Sequence, residues 1–380
     1  MAPARVPTID PIPTQLDLLR EAREYERRGS LPAAIKSYEG VVAEAERSGA
    51  AAALAEALRR LAVLRQQSHE SNQALELCER SCRAARDSGD NALVAHTLNT
   101  LGGIHLSRGS LAEARCVFLG ALELGAPSRE LRARVMQNLG ILAHIQGHLD
   151  EAVTQFQRSL QAYREAGDRH GCAVTYYHLG VVCADRGFPD EAGYYLHRSR
   201  TLAQREGDIC LQGLALVGQA EVDVARQCYE NARQQAEEAL GLFDALGAQG
   251  AKAHPYRVLG MVFRETGRPA LAESRFRAAV ELAVSTGAVL AEAETSRELA
   301  LLYQSQGRNP EALRLLNAAH RLFCRLDVRV DLIDVGGKVA QLEGDYRAVV
   351  REWGRSIEPA DGSTSGHGER VARLAVAIAR

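Results

Sequence analysis

A chain of 380 residues with 46% apolar, 25% charged and only 5% aromatic side chains must fill its core with Ala and Leu rather than rings, as packed helices do. A formal charge of -2 gives no long-range field to draw in a phosphate backbone, and no stretch reaches the roughly 20 apolar residues of a membrane span or forms the apolar centre of a signal peptide. These features exclude nucleic acid and membrane as expected partners and predict a cytoplasmic protein.

Residues 1–14, MAPARVPTIDPIPT, read as a disordered leader. From residue 15 to about 330 one unit recurs eight times. It is marked by small residues twelve apart: Ala22/Ala34, Ala62/Ala74, Gly102/Ala114, Gly140/Ala152, Gly180/Ala192, Ala220/Ala232, Gly260/Ala272 and Ala300/Ala312. This register starts the units near 15, 55, 95, 133, 173, 213, 253 and 293. Seven residues after the first small residue come Gly29, Gly109, Gly147, Gly187, Gly267 and Gly307, where a left-handed cap ends a helix without a Cβ penalty. Pro32, Pro189, Pro269 and Pro310 follow, at positions a proline tolerates only in the first turn of a new helix. A second glycine at 49, 89, 167, 207, 247 or 287 closes that helix. Each unit is therefore a helical hairpin, with Tyr38, Phe118, Phe156 and Phe276 expected to fill the gap to the next one. A lone hairpin buries too little apolar surface to be stable, so the units must stack.

This pattern resembles the tetratricopeptide repeat, in the long forty-residue form of kinesin light chains and bacterial peptide-sensing regulators. The resemblance implies an all-α, right-handed superhelical solenoid of eight hairpins with C-terminal capping helices, and a protein- or peptide-binding function in a signalling protein. Unit two departs from the pattern at His69, and unit six at Gln219, Gln227 and Ala236, which replace Leu, Gly and an aromatic. With Gly213 and Gly218 also in its first helix, unit six is the expected soft point.

In such a solenoid the first helices line the concave surface. The inward candidates are His96 and Asn99, then Arg134, Gln137, Asn138, Ile141 and His144, then Tyr177, His178 and Val181, and finally His254, Arg257, Met261, Arg264 and Arg297. Amides and imidazoles suit a peptide backbone because they donate and accept. The family resemblance gives Asn138 the role of clamping a ligand's main chain, and the three later arginines suit an acidic side chain or a terminal carboxylate. A homodimer is a further expected partner arrangement.

No phosphate-binding loop, metalloprotease helix or nucleophile elbow occurs before residue 345, so neither an enzyme nor a cofactor is expected here. The eight cysteines, Cys78, Cys82, Cys116, Cys172, Cys183, Cys210, Cys228 and Cys324, lack paired spacing and read as small buried hydrophobes. Residues 331–357, with Trp353, read as capping helices and 358–366 as a linker. The tail helix, 367–380, and the residues before it, together IEPADGSTSGHGERVARLAVAIAR (357–380), are similar to the opening of HD-GYP phosphohydrolases at Asp361, Thr364, His367, Arg370 and Val371, with Ser363 and Gly368 departing. That likeness implies a metal position at His367 if a complete domain follows, and makes these residues the regulatory portion of a cyclic di-GMP phosphodiesterase. A plain amphipathic helix with Val371, Leu374, Ala375 and Ile378 on one face is the other reading, and a passive scaffold is a further alternative function.

Overall fold

A computed structural model describes residues 15–326, apart from 29, 69 and 125–127, together with 335 and 337–342. Among the described residues 88% are helical and there is no strand. The helices come in pairs: α1 (Gln15–Arg27) with α2 (Leu31–Ser48), α3 (Ala51–Gln67) with α4 (Ser71–Asp87), α5 (Asn91–Ser107) with α6 (Leu111–Glu123), and α7 (Arg129–Ile145) with α8 (Leu149–Ala166). Then follow α9 (Arg169–Asp185) with α10 (Pro189–Glu206), α11 (Ile209–Ala225) with α12 (Tyr229–Ala245), α13 (Ala253–Glu265) with α14 (Pro269–Thr286), and α15 (Val289–Ser305) with α16 (Asn309–Leu326). Two compact units divide the chain, Met1–Asn138 and Leu139–Arg380. Within each, successive helices pack on one another and the first helices of neighbouring hairpins also touch, α3 on α5 and α11 on α13 for example. The fold is an all-α solenoid of helical hairpins.

The punctuation of the sequence explains the helix ends. Gly49, Gly89, Gly167, Gly207, Gly247 and Gly287 close second helices, and Gly109, Gly147, Gly187, Gly267 and Gly307 close first helices, all at positive φ. In unit six the same place is held by Gln227 at φ 63, the one non-glycine among the described residues in that region. Gly29 and His69 lie outside the described residues. From the second pair on, and with the exception of α13, first helices start about four residues before the register of small residues places them. The starts of α5, α9 and α11 are set by Asp90, Asp168 and Asp208, whose carboxylates accept the backbone N–H of Leu93, Gly171 and Leu211 at 3.1, 2.7 and 2.9 Å. In unit seven a 3-10 turn, Gln249–Lys252, takes the place of the first helical turn. Pro255 there falls in the first turn of α13, where its missing N–H costs no helical bond.

The alanines of the small-residue register are fully buried. The glycines of that register have a sharper role, because a Cβ on Gly102, Gly140 or Gly260 would lie 2.4, 2.7 or 2.5 Å from the ring of Phe118, Phe156 or Phe276. The aromatic side chains thus seat first against the backbone of their own hairpin rather than filling only the gap to the next. They reach the neighbour as well: Phe276 shares a core cluster with Leu299 and Ala300.

In unit six the two further glycines of the first helix lie under side chains. Added Cβ atoms on Gly213 and Gly218 would lie 2.6 Å from Phe243 and 2.8 Å from Leu196, so both glycines are covered by side chains. The cysteines divide: Cys78, Cys82, Cys172 and Cys183 are buried, but Cys116, Cys210, Cys228 and Cys324 are exposed. The buried-hydrophobe reading fails for the latter four, which sit at or near helix starts or on outward helix faces. Val335 and Leu342 are buried in the cluster that holds Leu316 and Phe323. Trp353, the 358–366 segment and the tail with His367 lie outside the described residues.

Candidate functional site

In the unit ending at Asn138, the inward candidates lie on α5 and the N-terminal part of α7. Asn138 donates its side-chain N–H to the Asn99 carbonyl oxygen at 3.0 Å. Asn99 and Gln137 are buried, whereas Arg134 is exposed. An amide carries two N–H donors and one acceptor, so this single bond leaves Asn138 hydrogen-bonding capacity while fixing its orientation. His96 is held below its ordinary pKa by burial and by the cations Arg59 and Arg134.

In the unit from Leu139 on, a depression of about 300 Å³ opens on first helices alone: the end of α7, then α9, α11, α13 and α15. The forty-residue period explains why. Tyr177, Val217, Arg257 and Arg297 occupy one register position, Leu214, His254 and Glu294 a second, and Val181 and Glu221 a third. On one helix these positions are three and four apart, as Leu214, Val217 and Glu221 show, and so share a face.

The depression is electrostatically closed upon itself. Arg257, its side chain only 11% exposed, ion-pairs with Glu221 at 2.6 Å and Glu294 at 3.2 Å. At the edge, His144 Nε2 lies 2.6 Å from Asp185 Oδ2. Arg264 pairs with Glu298 at 2.8 Å, and Arg297 approaches the same carboxylate at 3.5 Å. Burial pushes the Glu221 carboxyl above its ordinary range; Arg257 opposes this, and Glu294, Asp185 and Glu298 add to it. Burial also pushes up Glu298, yet Arg297 and Arg264 outweigh it and hold that carboxyl below its usual range. His254 is lowered by burial, with Arg257 adding to this and Glu294 opposing it. The Tyr177 hydroxyl is raised by burial and by Glu221 and Glu294.

Four of the ten candidate site residues, His144, Tyr177, Arg257 and Arg297, therefore line one depression, and Asn99 and Asn138 touch each other elsewhere. Arg264 is not among its lining residues. His178, another candidate, stacks its ring on Phe156 at 5.3 Å with planes 5° apart, and burial lowers its pKa to about 4. It thereby packs α9 against the previous hairpin. Arg257 and Arg264 are each engaged by carboxylates of neighbouring first helices. Sequence reasoning missed Glu221, Glu294 and Asp185. The signal for the first two was present, since Glu221 shares its register position with Val181 and Met261, and Glu294 with His254.

The family model described as tetratricopeptide repeat matches residues 93–165, 211–285 and 259–325. Over those residues the chain is similar to tetratricopeptide repeats. Among solved structures, the fold is shared with a Rap protein complexed with Competence and Sporulation Factor, at 10% identity and TM-score 0.61, covering 87% of this chain and 98% of that one. It is also shared with the Rap conjugation gene regulator of plasmid pLS20 in complex with the Phr* peptide, at 13% identity and TM-score 0.55, covering 97% and 96%. A third is a signal transduction ATPase with numerous domains and a tetratricopeptide repeat sensor from Pyrococcus horikoshii, at 15% identity and TM-score 0.57, covering 84% of this chain and 48% of that one. At these identities the likeness is one of fold. No curated protein matches the sequence. No helix among the described residues is long and apolar enough to cross a membrane.

Proposed function

We propose that this chain is a protein- or peptide-binding module of a signalling protein and that it holds a partner segment against the first-helix face of α9, α11, α13 and α15. The observation that carries the reading is the depression itself. Its apolar part, with Val181, Leu214, Val217 and Leu290, borders a floor of charged groups whose positions are fixed by one another. Such a surface offers buried apolar area for affinity and preoriented polar groups for register. Two Rap proteins of the same fold are complexed with a factor or a peptide, which supports a peptide occupant. Occupancy changes the protein's state only if the partner binds one arrangement of the hairpins better than another.

Leu290 is 42% exposed, so Leu290→Arg leaves the fold intact while placing a charge on the apolar border. A partner captured by the wild-type chain is expected to bind this variant at least about tenfold more weakly, a loss of 1.4 kcal/mol or more. Equal binding by wild type and variant sinks the assignment. A passive scaffold differs in predicting the same scattering profile with and without the partner. The signalling role as regulatory portion of a cyclic di-GMP phosphodiesterase rests on Asp361, Thr364, His367, Arg370 and Val371 alone. It is tested by sequencing the gene downstream of the codon for Arg380: an HD-GYP catalytic core there supports it, and its absence removes it.

A further inference from the structure

Unit six carries a second, smaller pocket that the depression does not explain. At two positions of its first helix, one turn apart, neighbouring repeats place apolar pairs: Leu179 with Cys183, Leu259 with Phe263, and Leu299 with Tyr303. In α11 the same pair is Gln219 and Asp223. Together with Gln235 of α12 and Asp190 and Tyr194 of α10 they line a pocket of about 190 Å³.

Its polar groups combine the carboxylates of Asp190 and Asp223 and the amides of Gln219 and Gln235 with the guanidinium of Arg226. The side-chain oxygens of Gln219 and Gln235 are buried without a hydrogen-bond partner. Gln235 donates its N–H to Asp223 Oδ2 at 3.1 Å, which settles which end of that amide is oxygen. The guanidinium of Arg226 lies at the rim, where it donates to the Pro189 carbonyl at 2.9 Å and to the Asp190 carboxylate at 2.5 Å. Its other nitrogen is 3.9 Å from Asp223, so one cation faces two carboxylates and two orphaned amide oxygens. A buried acceptor without a donor costs on the order of 1–3 kcal/mol, and a polar pocket of this size takes up either water or a group rich in N–H donors.

We propose that the pocket binds an organic cation with N–H donors, the ammonium of lysine or the guanidinium of arginine, presented by a partner polypeptide. Three or more donors on one compact positive group match the two amide oxygens and Asp223. The exposed ring of Tyr194, 58% accessible, stands at the mouth, where it can cover the aliphatic stem of such a side chain. This site stands apart from the first-helix depression and does not depend on its occupancy.

The test is saturation-transfer NMR on the full chain with Nα-acetyl-lysine N-methylamide as probe and its neutral norleucine analogue as control, with methylammonium as a free-cation arm. Transfer is expected to the lysine ε-methylene with a millimolar Kd, weakened at least about fivefold by Gln219→Leu and by Asp223→Asn. Leu290→Arg is expected to leave it unchanged, which separates this site from the depression. Gln219→Leu restores the apolar residue of the other repeats, and Asp223→Asn keeps the shape, so a folded control is secured by circular dichroism. Weaker binding of methylammonium than of the lysine probe supports a polypeptide source; equal binding assigns a free cation and overturns that part of the proposal. Equal transfer to the norleucine analogue, undiminished binding in both folded variants, or a crystal soaked with the probe that shows water alone in the pocket overturns the site.

Discussion

In the hairpin α13–α14 the ring of Phe276 rests on Gly260, and in α5–α6 that of Phe118 rests on Gly102. In α11–α12 the corresponding residues are Ala220 and Ala236, which leave neither the space nor the ring. The contact has moved: Phe243, seven residues after Ala236, rests on Gly213, seven residues before Ala220. Seven residues are two helical turns, so the shift keeps both partners on their facing sides while carrying the contact toward the ends of the hairpin away from its tight turn. In these three hairpins the contact is a ring against bare backbone, and its place along the hairpin is secondary. The vacated middle of unit six is where Gln219, Asp223 and Gln235 form the small polar pocket.

The comparison breaks most visibly if the two rings carry unequal loads. Phe243→Ala and Phe276→Ala each remove a fully buried ring, and each is expected to cost about 3–5 kcal/mol in denaturant unfolding. A loss below about 1 kcal/mol for Phe243→Ala alone would show that the relocated contact does not replace the usual one. A second test concerns what covers the ring. Phe156 rests on Gly140 and is capped by His178, whose pKa is lowered to about 4. The folded state therefore disfavours the charged imidazole. Stability from this group is complete above the ordinary histidine pKa of about 6.5 and falls as the pH drops from there toward 4. For a partly exposed ring the loss is expected to reach about 2 kcal/mol. His178→Phe should flatten that window in a pH series of melts, and an unchanged slope would place the titration elsewhere.

Much of this architecture is legible in the sequence, because glycine at positive φ, proline in a first turn and small residues at a fixed period each have one physical use. The relocation in unit six is not legible from its own register: Gly213 reads as a flexible residue until the ring that covers it is known. The candidate site divides in the same way. The period places Tyr177, Arg257 and Arg297 on one face, and it carries Glu221 and Glu294 to that face too. The pairing of Arg257 with those carboxylates depends on side-chain reach between helices, which spacing along one helix does not contain. His178 was one residue from Tyr177, and one residue on a helix turns the side chain by about 100°, enough to carry it from the open face to Phe156.

A finer test separates close approach from helix propensity. Gly260→Ala improves propensity by about 1 kcal/mol but sets a Cβ 2.5 Å from the Phe276 ring, and overpacking of this kind costs about 1–3 kcal/mol. The expected net result is a loss of about 1 kcal/mol. Gly241→Ala in α12 meets nothing within 4 Å and is expected to gain about 0.5–1 kcal/mol. Urea melts that give both variants the same sign would remove the role assigned to these glycines.

The smallest expected effect lies at Gln227, whose φ of 63 holds an L side chain in the left-handed region at a cost of about 1–2 kcal/mol. Gln227→Gly removes that strain but frees the unfolded chain, which takes back about 0.4–1 kcal/mol. A net gain of about 0.5 kcal/mol follows. The reverse change, Gly267→Gln, places the same side chain at φ 72 and should lose a comparable amount. If both variants lose stability, the Gln227 side chain makes a compensating contact, and unit six departs from its neighbours at its tight turn as well as in its core.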